Sequence, residues 1–322
     1  MTKIKLFEAI EEFPFVLAPL AGYSDHPFRI LCKEFGATLV FTEMINVHSI
    51  TNAKARKRLK NILYYSPEER PIGIQLFGNK PDMFYEAASV AKDMGYDLID
   101  INFGCPVRKV VHSKNGAYLM TDPALACNII KRTVEAAGDI PVSIKIRSGW
   151  DENSINFLEF NKMAEENGVT IITLHARTKA QAFSGRAAWS NITELKKISK
   201  LFVIGNGDIT DRDSANKIME ITSCDAGMIG RGAIGNPFIF KSIKDEKYSP
   251  SHADKINVAL RHFDLMSEFK GKRAVFEIRK FIAKYIKDFD DAAKIRKELF
   301  AIEDVDRIKE YLKSLKDQIN LI

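Results

Sequence analysis

One cysteine in the sequence stands where a thiol could take part in chemistry. Cys105 belongs to segment 100–106, DINFGCP, in which a glycine and a proline flank it directly after an apolar run. A free thiol titrates near pH 8.5, so it stays mostly protonated at neutral pH unless its neighbours lower that value. Cys105 could therefore donate a proton, or it could act as a nucleophile if a base such as His175 or His112 lies beside it.

Three further polar side chains end apolar runs and could hold a cofactor. Lys145 occupies an alternating position that should point inward, where an ammonium group needs an anionic partner. That partner could be a reduced flavin ring or a core carboxylate. The amide of Gln75 both donates and accepts, which suits the pyrimidine edge of such a ring. His175 could donate to ring atoms or bind substrate, although a single histidine at a strand end is more often structural.

Two glycine-rich segments could bind a phosphate group. They are Gly205-Asn206-Gly207-Asp208 and Gly230-Arg231-Gly232, and they follow the last two strand-like runs. Exposed backbone N–H groups and the Arg231 guanidinium would supply the donors, as in barrels that bind a ligand phosphate at these loops. The alternative is that the glycines only permit tight turns.

The elements that position these residues follow from the hydrophobic pattern. Eight short apolar runs predict strands, and amphipathic stretches such as 82–94, 123–137, 155–167 and 211–221 predict helices between them. Eight alternations predict an α/β protein with a (β/α)₈ TIM barrel, with an open doubly wound sheet as the alternative. Polar and glycine residues cluster after nearly every strand, where a barrel has its mouth. The predicted strands cover residues 15–20, 37–44, 72–77, 98–103, 142–147, 170–175, 202–206 and 226–229.

The pattern changes after Phe240, where the strand-like runs end. Apolar residues at helical spacing, among them Phe263, Met266 and Phe281, predict a small bundle of helices. Residues 241–322 contain 19 Lys and Arg against 15 Asp and Glu, so they carry +4 of the chain's net charge of +6. We therefore predict a barrel domain over residues 1–243 and a small all-α domain over residues 244–322.

Composition excludes several classes of protein. With 322 residues, 46% of them apolar, the chain can bury a large core and is not a disordered polymer. No apolar run reaches the roughly 18 residues that span a bilayer, and no signal sequence is visible, so we expect a cytoplasmic protein without a membrane. Four scattered cysteines without a CxxC pair argue against disulfides and zinc, and we expect no metal. We also expect a monomer.

Together these motifs resemble those of the tRNA-dihydrouridine synthases, FMN-dependent barrel enzymes, and are most similar to the bacterial B-type branch. The resemblance extends from Ala18 to Phe240 and weakly beyond. Two positions depart from the family pattern: Leu20 stands where methionine is usual, and Ala176 stands where glycine is usual. The matching motifs are Ala18-Pro19-Leu20-Ala21-Gly22, Gln75-Leu76-Phe77-Gly78, segment 100–106, Lys145-Ile146-Arg147, Leu174-His175-Ala176-Arg177-Thr178, Gly205-Asn206-Gly207-Asp208 and Met228-Ile229-Gly230-Arg231.

The resemblance implies a reaction and a role for each motif. FMN reduced by NADPH would deliver hydride to C6 of a uracil in tRNA, and Cys105, which matches the family's catalytic acid, would protonate C5. Lys145 would stabilise negative charge on the flavin. Asn102 and Arg177 would bind the substrate. The implied FMN contacts are Pro19, Leu20, Ala21, Gln75, Lys145, His175, Asn206, Gly207, Asp208, Gly230 and Arg231.

Two basic segments could bind the phosphates of tRNA. The stronger candidate follows the second predicted strand on the mouth side, and the other lies in the tail near Lys284 and Lys287. For both, a solvated surface is the alternative. The residues we assign to tRNA binding are Lys54, Arg56, Lys57 and Arg58 in the first segment, and Arg279 and Lys280 in the second.

Two other functions fit part of the sequence. An FMN barrel that acts on a free pyrimidine, such as a dihydroorotate dehydrogenase, would not need the basic tail. An RNA-binding protein built on a degenerate barrel would not bind flavin and would be colourless.

Overall fold

The computed structural model describes residues 3–320, and its first part is a closed barrel of eight parallel strands. Each strand from β2 to β8 pairs in parallel with the next, and β8 pairs with β1. The Leu17 N–H donates to the Leu39 carbonyl over 2.9 Å, which joins β1 to the residues before β2. The strands are β1 (Phe15–Leu17), β2 (Val40–Asn46), β3 (Ile72–Phe77), β4 (Leu98–Asn102), β5 (Val142–Arg147), β6 (Ile171–His175), β7 (Phe202–Asn206) and β8 (Ala226–Ile229).

Twelve α-helices accompany the barrel strands in the described range, and the predicted (β/α)₈ fold is confirmed. They are α1 (Lys3–Glu12), α2 (His26–Glu34), α3 (Val47–Thr51), α4 (Ala53–Arg58), α5 (Lys60–Leu63), α6 (Pro81–Asp93), α7 (Arg108–His112), α8 (Pro123–Ala137), α9 (Phe157–Glu166), α10 (Trp189–Ile198), α11 (Arg212–Thr222) and α12 (Phe238–Lys244).

Strand bounds differ from prediction mainly at the first two strands. The first predicted strand extends to residue 20, but β1 ends at Leu17 because Pro19 cannot donate a backbone hydrogen bond and the chain turns into the mouth. The second begins later than predicted, at Val40, since residues 38 and 39 bond to β1 rather than to β3.

Local sequence explains where several helices begin. The Asp25 side chain accepts from the Phe28 N–H at the start of α2, and Asp122 caps α8 in the same way. In α11 the side chains of Asp211 and Ser214 form a reciprocal capping box. Each cap satisfies backbone donors that a helix start otherwise leaves unpaired.

Two hydrophobic layers hold the barrel together. The inner layer contains Phe41, Leu98, Ile171 and Met228, and Leu6 and Ile10 of α1 pack against it at the end of the barrel opposite the mouth. The outer layer lies between strands and helices and continues into the C-terminal helices. No helix within residues 3–320 is long and apolar enough to cross a bilayer.

The region after the barrel is helical, as predicted. It consists of α13 (His252–Lys270), α14 (Ala274–Glu277), α15 (Arg279–Tyr285), α16 (Ala292–Ala301) and α17 (Val305–Asn320). Buried Phe263, Phe281 and Leu312 belong to the same continuous core as the barrel helices. Lys270 forms a salt bridge to Asp25 at 2.5 Å, with both side chains almost fully buried, so the helical region is fastened to α2.

Candidate active site at the barrel mouth

The C-terminal ends of the strands surround a cavity of about 800 Å³, a size typical of cofactor sites. All of the residues predicted to contact FMN line it, and so do Asn102 and Cys105. The predicted FMN contacts found there are Pro19, Leu20, Ala21, Gln75, Lys145, His175, Asn206, Gly207, Asp208, Gly230 and Arg231.

A chain of hydrogen bonds runs beneath the Cys105 turn. Asp100 accepts from the Gln75 amide over 2.7 Å and from the Ser143 hydroxyl over 2.6 Å. The Gln75 oxygen accepts from Asn102 over 2.8 Å. The Asn102 oxygen then accepts from the backbone N–H groups of Gly104 and Cys105, at 3.1 and 2.9 Å. The turn that carries the thiol is therefore held by buried polar side chains of β3 and β4.

The Cys105 thiol is partly buried and stays protonated at neutral pH. Burial raises its pKa more than the Val107 N–H and the Arg147 guanidinium lower it. Within the described range, no histidine side chain hydrogen-bonds to Cys105. These surroundings favour a proton donor over the nucleophile considered from sequence, because nucleophilic attack needs the thiolate.

Lys145 projects from β5 into the cavity and donates to Asn206 over 2.9 Å. Asn206 is held in turn by its own donation to the Met228 carbonyl at 2.7 Å. Burial lowers the pKa of Lys145 to about 7, against the raising effect of Asp100, and burial raises the pKa of Asp100 to about 6. An anion bound in the cavity would raise the Lys145 pKa and stabilise its ammonium form.

His175 is a neutral imidazole. Burial lowers its pKa, and the positive charges of Lys145, Arg147, Arg177 and Arg231 lower it further. A neutral ring offers one donor and one acceptor to a ligand, without adding a charge to the cavity.

Asp208 and Arg177 form an ion pair beside the cavity. Arg177 contacts both carboxylate oxygens, at 2.7 and 2.9 Å, and the Ala187 N–H donates to Asp208 over 2.8 Å. Burial opposes ionisation of Asp208, but these two donors hold its pKa below the usual range. Arg177 itself is buried, does not line the cavity, and also donates to the Ser184 and Gly185 carbonyls. Its position therefore supports a role in holding the 178–187 loop rather than the substrate contact expected from sequence.

The Arg231 guanidinium lines the cavity and lies 5.0 Å from the centroid of the Phe183 ring. Among residues 3–320 it forms no side-chain hydrogen bond or salt bridge, although it lies near enough to Asp208 to lower the pKa of that carboxyl. Neighbouring Gly207 has a φ of +125°, and a Cβ there would lie 2.7 Å from the Ala187 Cβ. Glycine at this position therefore lets the backbone pack against Ala187, and both Gly207 and Arg231 line the cavity. A backbone N–H group and an arginine with unused donors are the groups that bind a phosphate.

The sequence interpretation missed two residues of the site: one lies on β5 and the other lies in the loop after β6. Arg147 lines the cavity and donates to the Gly104, Thr178 and Ala182 carbonyls at 2.7 to 2.8 Å, so it ties the Cys105 turn to the 178–187 loop. Phe183 also lines the cavity, with 51% of its surface exposed. The Lys145-Ile146-Arg147 spacing, which places both charges on one face of a strand, was the available signal for Arg147.

Two lysines of the C-terminal region line the cavity, but they are not the residues of this region that we assigned to tRNA binding from sequence. Lys284 and Lys287 line it, whereas Lys280 donates to the Gly22 carbonyl and lies over the Tyr23 ring. Arg279 points into the helical region, where it donates to the Ile302 carbonyl at 3.3 Å and lies over the Phe276 ring. Helical spacing gave all four residues, but only packing decides which face the mouth.

The basic run after β2 forms α4, at some distance along the surface. Lys54, Lys57 and Arg58 are exposed and Arg56 is partly buried. Arg56 and Lys57 line a separate groove of about 620 Å³ with Lys60 and Tyr64, and this groove shares no lining residue with the mouth cavity. Within residues 3–320 there is no cluster of three side chains suited to hold a metal ion.

Comparison with known proteins gives consistent matches over most of the chain. A family model described as dihydrouridine synthase (Dus) matches residues 16–320. A probable tRNA-dihydrouridine synthase 1 from Synechocystis is 38% identical over 302 residues, which cover 92% of this chain and 84% of the relative. A tRNA-dihydrouridine synthase B from Pasteurella multocida is 36% identical over 95% of this chain and 92% of its own.

Two similar solved structures share the fold with this chain at low sequence identity. An old yellow enzyme homologue from Zymomonas mobilis aligns with a TM-score of 0.52 at 13% identity, over 74% of this chain and 89% of that one. Morphinone reductase aligns with a TM-score of 0.53 at 12% identity, over 75% of this chain and 88% of its own.

Proposed function

Because this chain belongs to the dihydrouridine synthase family and is a tRNA-dihydrouridine synthase, we propose that it works with FMN in the mouth cavity, reduced by NADPH, and with Cys105 as the proton donor. The family membership confirms the resemblance noted from sequence. The observation that carries the proposal is a protonated thiol at Cys105 in one cavity with Lys145, whose ammonium form a bound anion would stabilise, and with Arg231, which has no hydrogen-bond or salt-bridge partner among residues 3–320.

The residues around the cavity fit FMN at both of its ends. For the phosphate, Arg231 has unused donors among residues 3–320, and Gly207 and Gly230 line the same cavity, where their backbone N–H groups can also donate. For the ring, Lys145 donates to the Asn206 amide and forms no salt bridge among residues 3–320, so it can meet an anionic ring. We assign the ring to Pro19, Leu20, Ala21, Gln75, Lys145, His175 and Asn206, which bonds to Lys145. We assign the phosphate to the Arg231 guanidinium and to the backbone N–H groups of Gly207, Asp208 and Gly230.

The chemistry that FMN supplies when bound, after reduction by NADPH, is transfer of a hydride to C6 of the uracil ring. The protein must then provide a proton at C5, and the Cys105 thiol holds one across the neutral pH range. Asn102 orients the turn that carries the thiol and presents its side chain to the cavity for the base. Lys145 stabilises negative charge that develops beside it.

We propose that tRNA binds across both parts of the chain. Residues 1–243 form the catalytic domain in this proposal, and residues 244–322 form a tRNA-binding domain. Exposed Lys284 and Lys287 at the cavity rim can pair with phosphates on either side of a uridine that has left its stack. Lys54, Arg56, Lys57 and Arg58 provide a second phosphate contact beside the groove at Tyr64. Arg279 and Lys280 act mainly by fixing α15.

Two alternatives lose support for separate reasons. A barrel that reduces a free pyrimidine does not need lysines from a helical region at the rim of its cavity, yet two are present here. An RNA-binding protein on a degenerate barrel does not need the ordered donors around Cys105 and Lys145.

The decisive experiment is nucleoside mass spectrometry of tRNA from a strain that lacks this gene and other genes of the family. Complementation with the wild-type chain should restore dihydrouridine at defined positions, and Cys105→Ala should not. If the wild-type chain restores none, the assignment of substrate is wrong. Purified wild-type protein should be yellow and release FMN on denaturation.

A further inference from the structure

Asp100 determines which group donates and which accepts in the hydrogen bonds beneath the Cys105 turn. An ionised carboxylate only accepts hydrogen bonds, so Asp100 obliges Gln75 to present its NH₂ group, at 2.7 Å. The Gln75 oxygen then points toward Asn102, so Asn102 must donate to it from its NH₂ group, at 2.8 Å. The Asn102 oxygen is thereby directed at the backbone donors of Gly104 and Cys105.

The reversed arrangement would fail at the turn. If Gln75 were flipped, its NH₂ group would face Asn102, and Asn102 would turn its own NH₂ group toward the N–H groups of Gly104 and Cys105. Donor would then meet donor, and two hydrogen bonds that now measure 3.1 and 2.9 Å would be lost. Leaving such groups unpaired in a buried place is costly.

We infer that Asp100 is a positioning residue for the proposed proton transfer: it fixes the amide orientations of Gln75 and Asn102 and, through them, the place of the Cys105 thiol. Asp100 is 2% exposed and does not line the mouth cavity, so it acts through these side chains rather than by contact with a ligand. Ser143, which is equally buried, donates to its other oxygen at 2.6 Å and holds the carboxylate in the required orientation. The catalytic consequence rests on the proposed role of Cys105, whereas the placement of the thiol does not.

Thiol reactivity tests the placement without tRNA or NADPH. The holoenzyme is treated with iodoacetamide, and alkylation of Cys105 and Cys127 is followed by peptide mass spectrometry. Cys127 is also partly buried but lies on α8 beside Asn167, so it serves as an internal reference. We expect Asp100→Ala to raise the Cys105 rate relative to Cys127 by about fivefold or more, because the turn loses its hydrogen-bonded support.

Asp100→Asn is the matched conservative variant. Its oxygen can still accept from Gln75 while its NH₂ group donates to the Ser143 hydroxyl, so the ratio of the two rates should stay within about twofold of wild type. This variant also removes the negative charge near Lys145. A ratio as high as that of Asp100→Ala would mean that charge and not orientation controls the thiol, and it would overturn the inference.

In turnover assays, Asp100→Ala should lower kcat by about tenfold to a hundredfold, with the KM for tRNA changed by less than about threefold. If Asp100→Ala does not fold, Gln75→Leu breaks the same chain one link later and should raise the Cys105 ratio equally. An unchanged ratio in the variant that folds overturns the inference. A changed ratio together with an active Cys105→Ala enzyme would instead remove only the proposed proton transfer.

Discussion

Lys145 on β5 donates a 2.9 Å hydrogen bond to Asn206 on β7, across the strand that lies between them. The partner is a neutral amide, and Asn206 is itself fixed by the Met228 carbonyl of β8. The Lys145 side chain is therefore held in one place without a salt-bridge partner among residues 3–320. Its remaining donors face a cavity whose lining also includes Arg147, Arg231, Lys284 and Lys287.

Replacing Lys145 with methionine should slow reduction of bound FMN by NADPH about a hundredfold, since negative charge on the ring would lose its nearest cation. Stopped-flow loss of the flavin absorbance measures this step. Lys217→Met, on the exposed side of α11, is the control for loss of a surface charge. A rate within about threefold of wild type would show that Lys145 does not stabilise the reduced ring.

The Cys105 thiol should react with iodoacetamide in proportion to its small thiolate fraction. Because burial raises its pKa above that of a free thiol, the rate should increase about tenfold for each unit between pH 7 and pH 9, without a plateau. A plateau below pH 8 would indicate a stable thiolate and a nucleophile.

In turnover, Cys105→Ala should lose about 10²- to 10⁴-fold in rate while it keeps FMN.

Arg231→Gln should weaken FMN binding by about tenfold or more, because a charge-assisted contact to the phosphate is lost. Riboflavin has the same ring but no phosphate, so its affinity should change by less than about twofold. Equilibrium dialysis with the apoprotein compares the two. Equal losses for both flavins would place Arg231 at the ring rather than at the phosphate.

Lys284→Gln combined with Lys287→Gln should weaken tRNA binding and reduce the slope of log K against log salt by about two. The same change at Lys131 and Lys217, exposed on outer helices of the barrel, should leave the slope as it is. Filter binding at several salt concentrations measures both. Replacing Lys54, Arg56, Lys57 and Arg58 together with glutamine tests the second contact in the same assay. An unaltered slope in that variant would show that α4 faces solvent and does not contact tRNA.

The contact between Gly235 and α15 can be tested with a matched glycine. Gly235 and Gly271 both have positive φ, at +66° and +58°, but a Cβ at Gly235 would lie 2.3 Å from the Lys284 Cβ, whereas nothing lies within 4 Å at Gly271. Gly235→Ala should therefore cost about 1–3 kcal/mol more than Gly271→Ala in denaturant unfolding. It should also weaken tRNA binding, as α15 is pushed from the cavity. Equal stabilities would mean that this contact yields easily.

Sequence was sufficient for the barrel because each strand is a continuous apolar run that ends in polar residues. The cavity residues could be assigned for the same reason, since strand ends in a barrel must meet at one mouth. The sequence could not show which way an individual side chain points. Arg147 lies two residues after Lys145, and Arg177 lies two residues after His175. Yet Arg177 turns away to Asp208, whereas Arg147 turns into the cavity.

The tail shows the same limit. Arg279, Lys280, Lys284 and Lys287 share a basic helical pattern, and their pattern alone does not rank them. The structure ranks them through packing, because the aromatic rings of Phe276 and Tyr23 hold Arg279 and Lys280. Lys284 and Lys287 have no side-chain hydrogen bond or salt bridge to any residue in the range 3–320. The Asp100 network was similarly hidden, since a buried acid in an apolar strand has no signature of its own.

The packing of Leu6 and Ile10 at the end of the barrel opposite the mouth has a consequence for the kinetics. These side chains of α1 fill the lower end of the barrel, so the mouth is the route by which ligands reach the cavity floor. In the proposed reaction, the nicotinamide of NADPH and the uracil of tRNA would each have to reach the flavin through this opening, so only one of them could occupy it at a time. The enzyme should therefore alternate between its two partners, with parallel lines in double-reciprocal plots and inhibition by excess of either one.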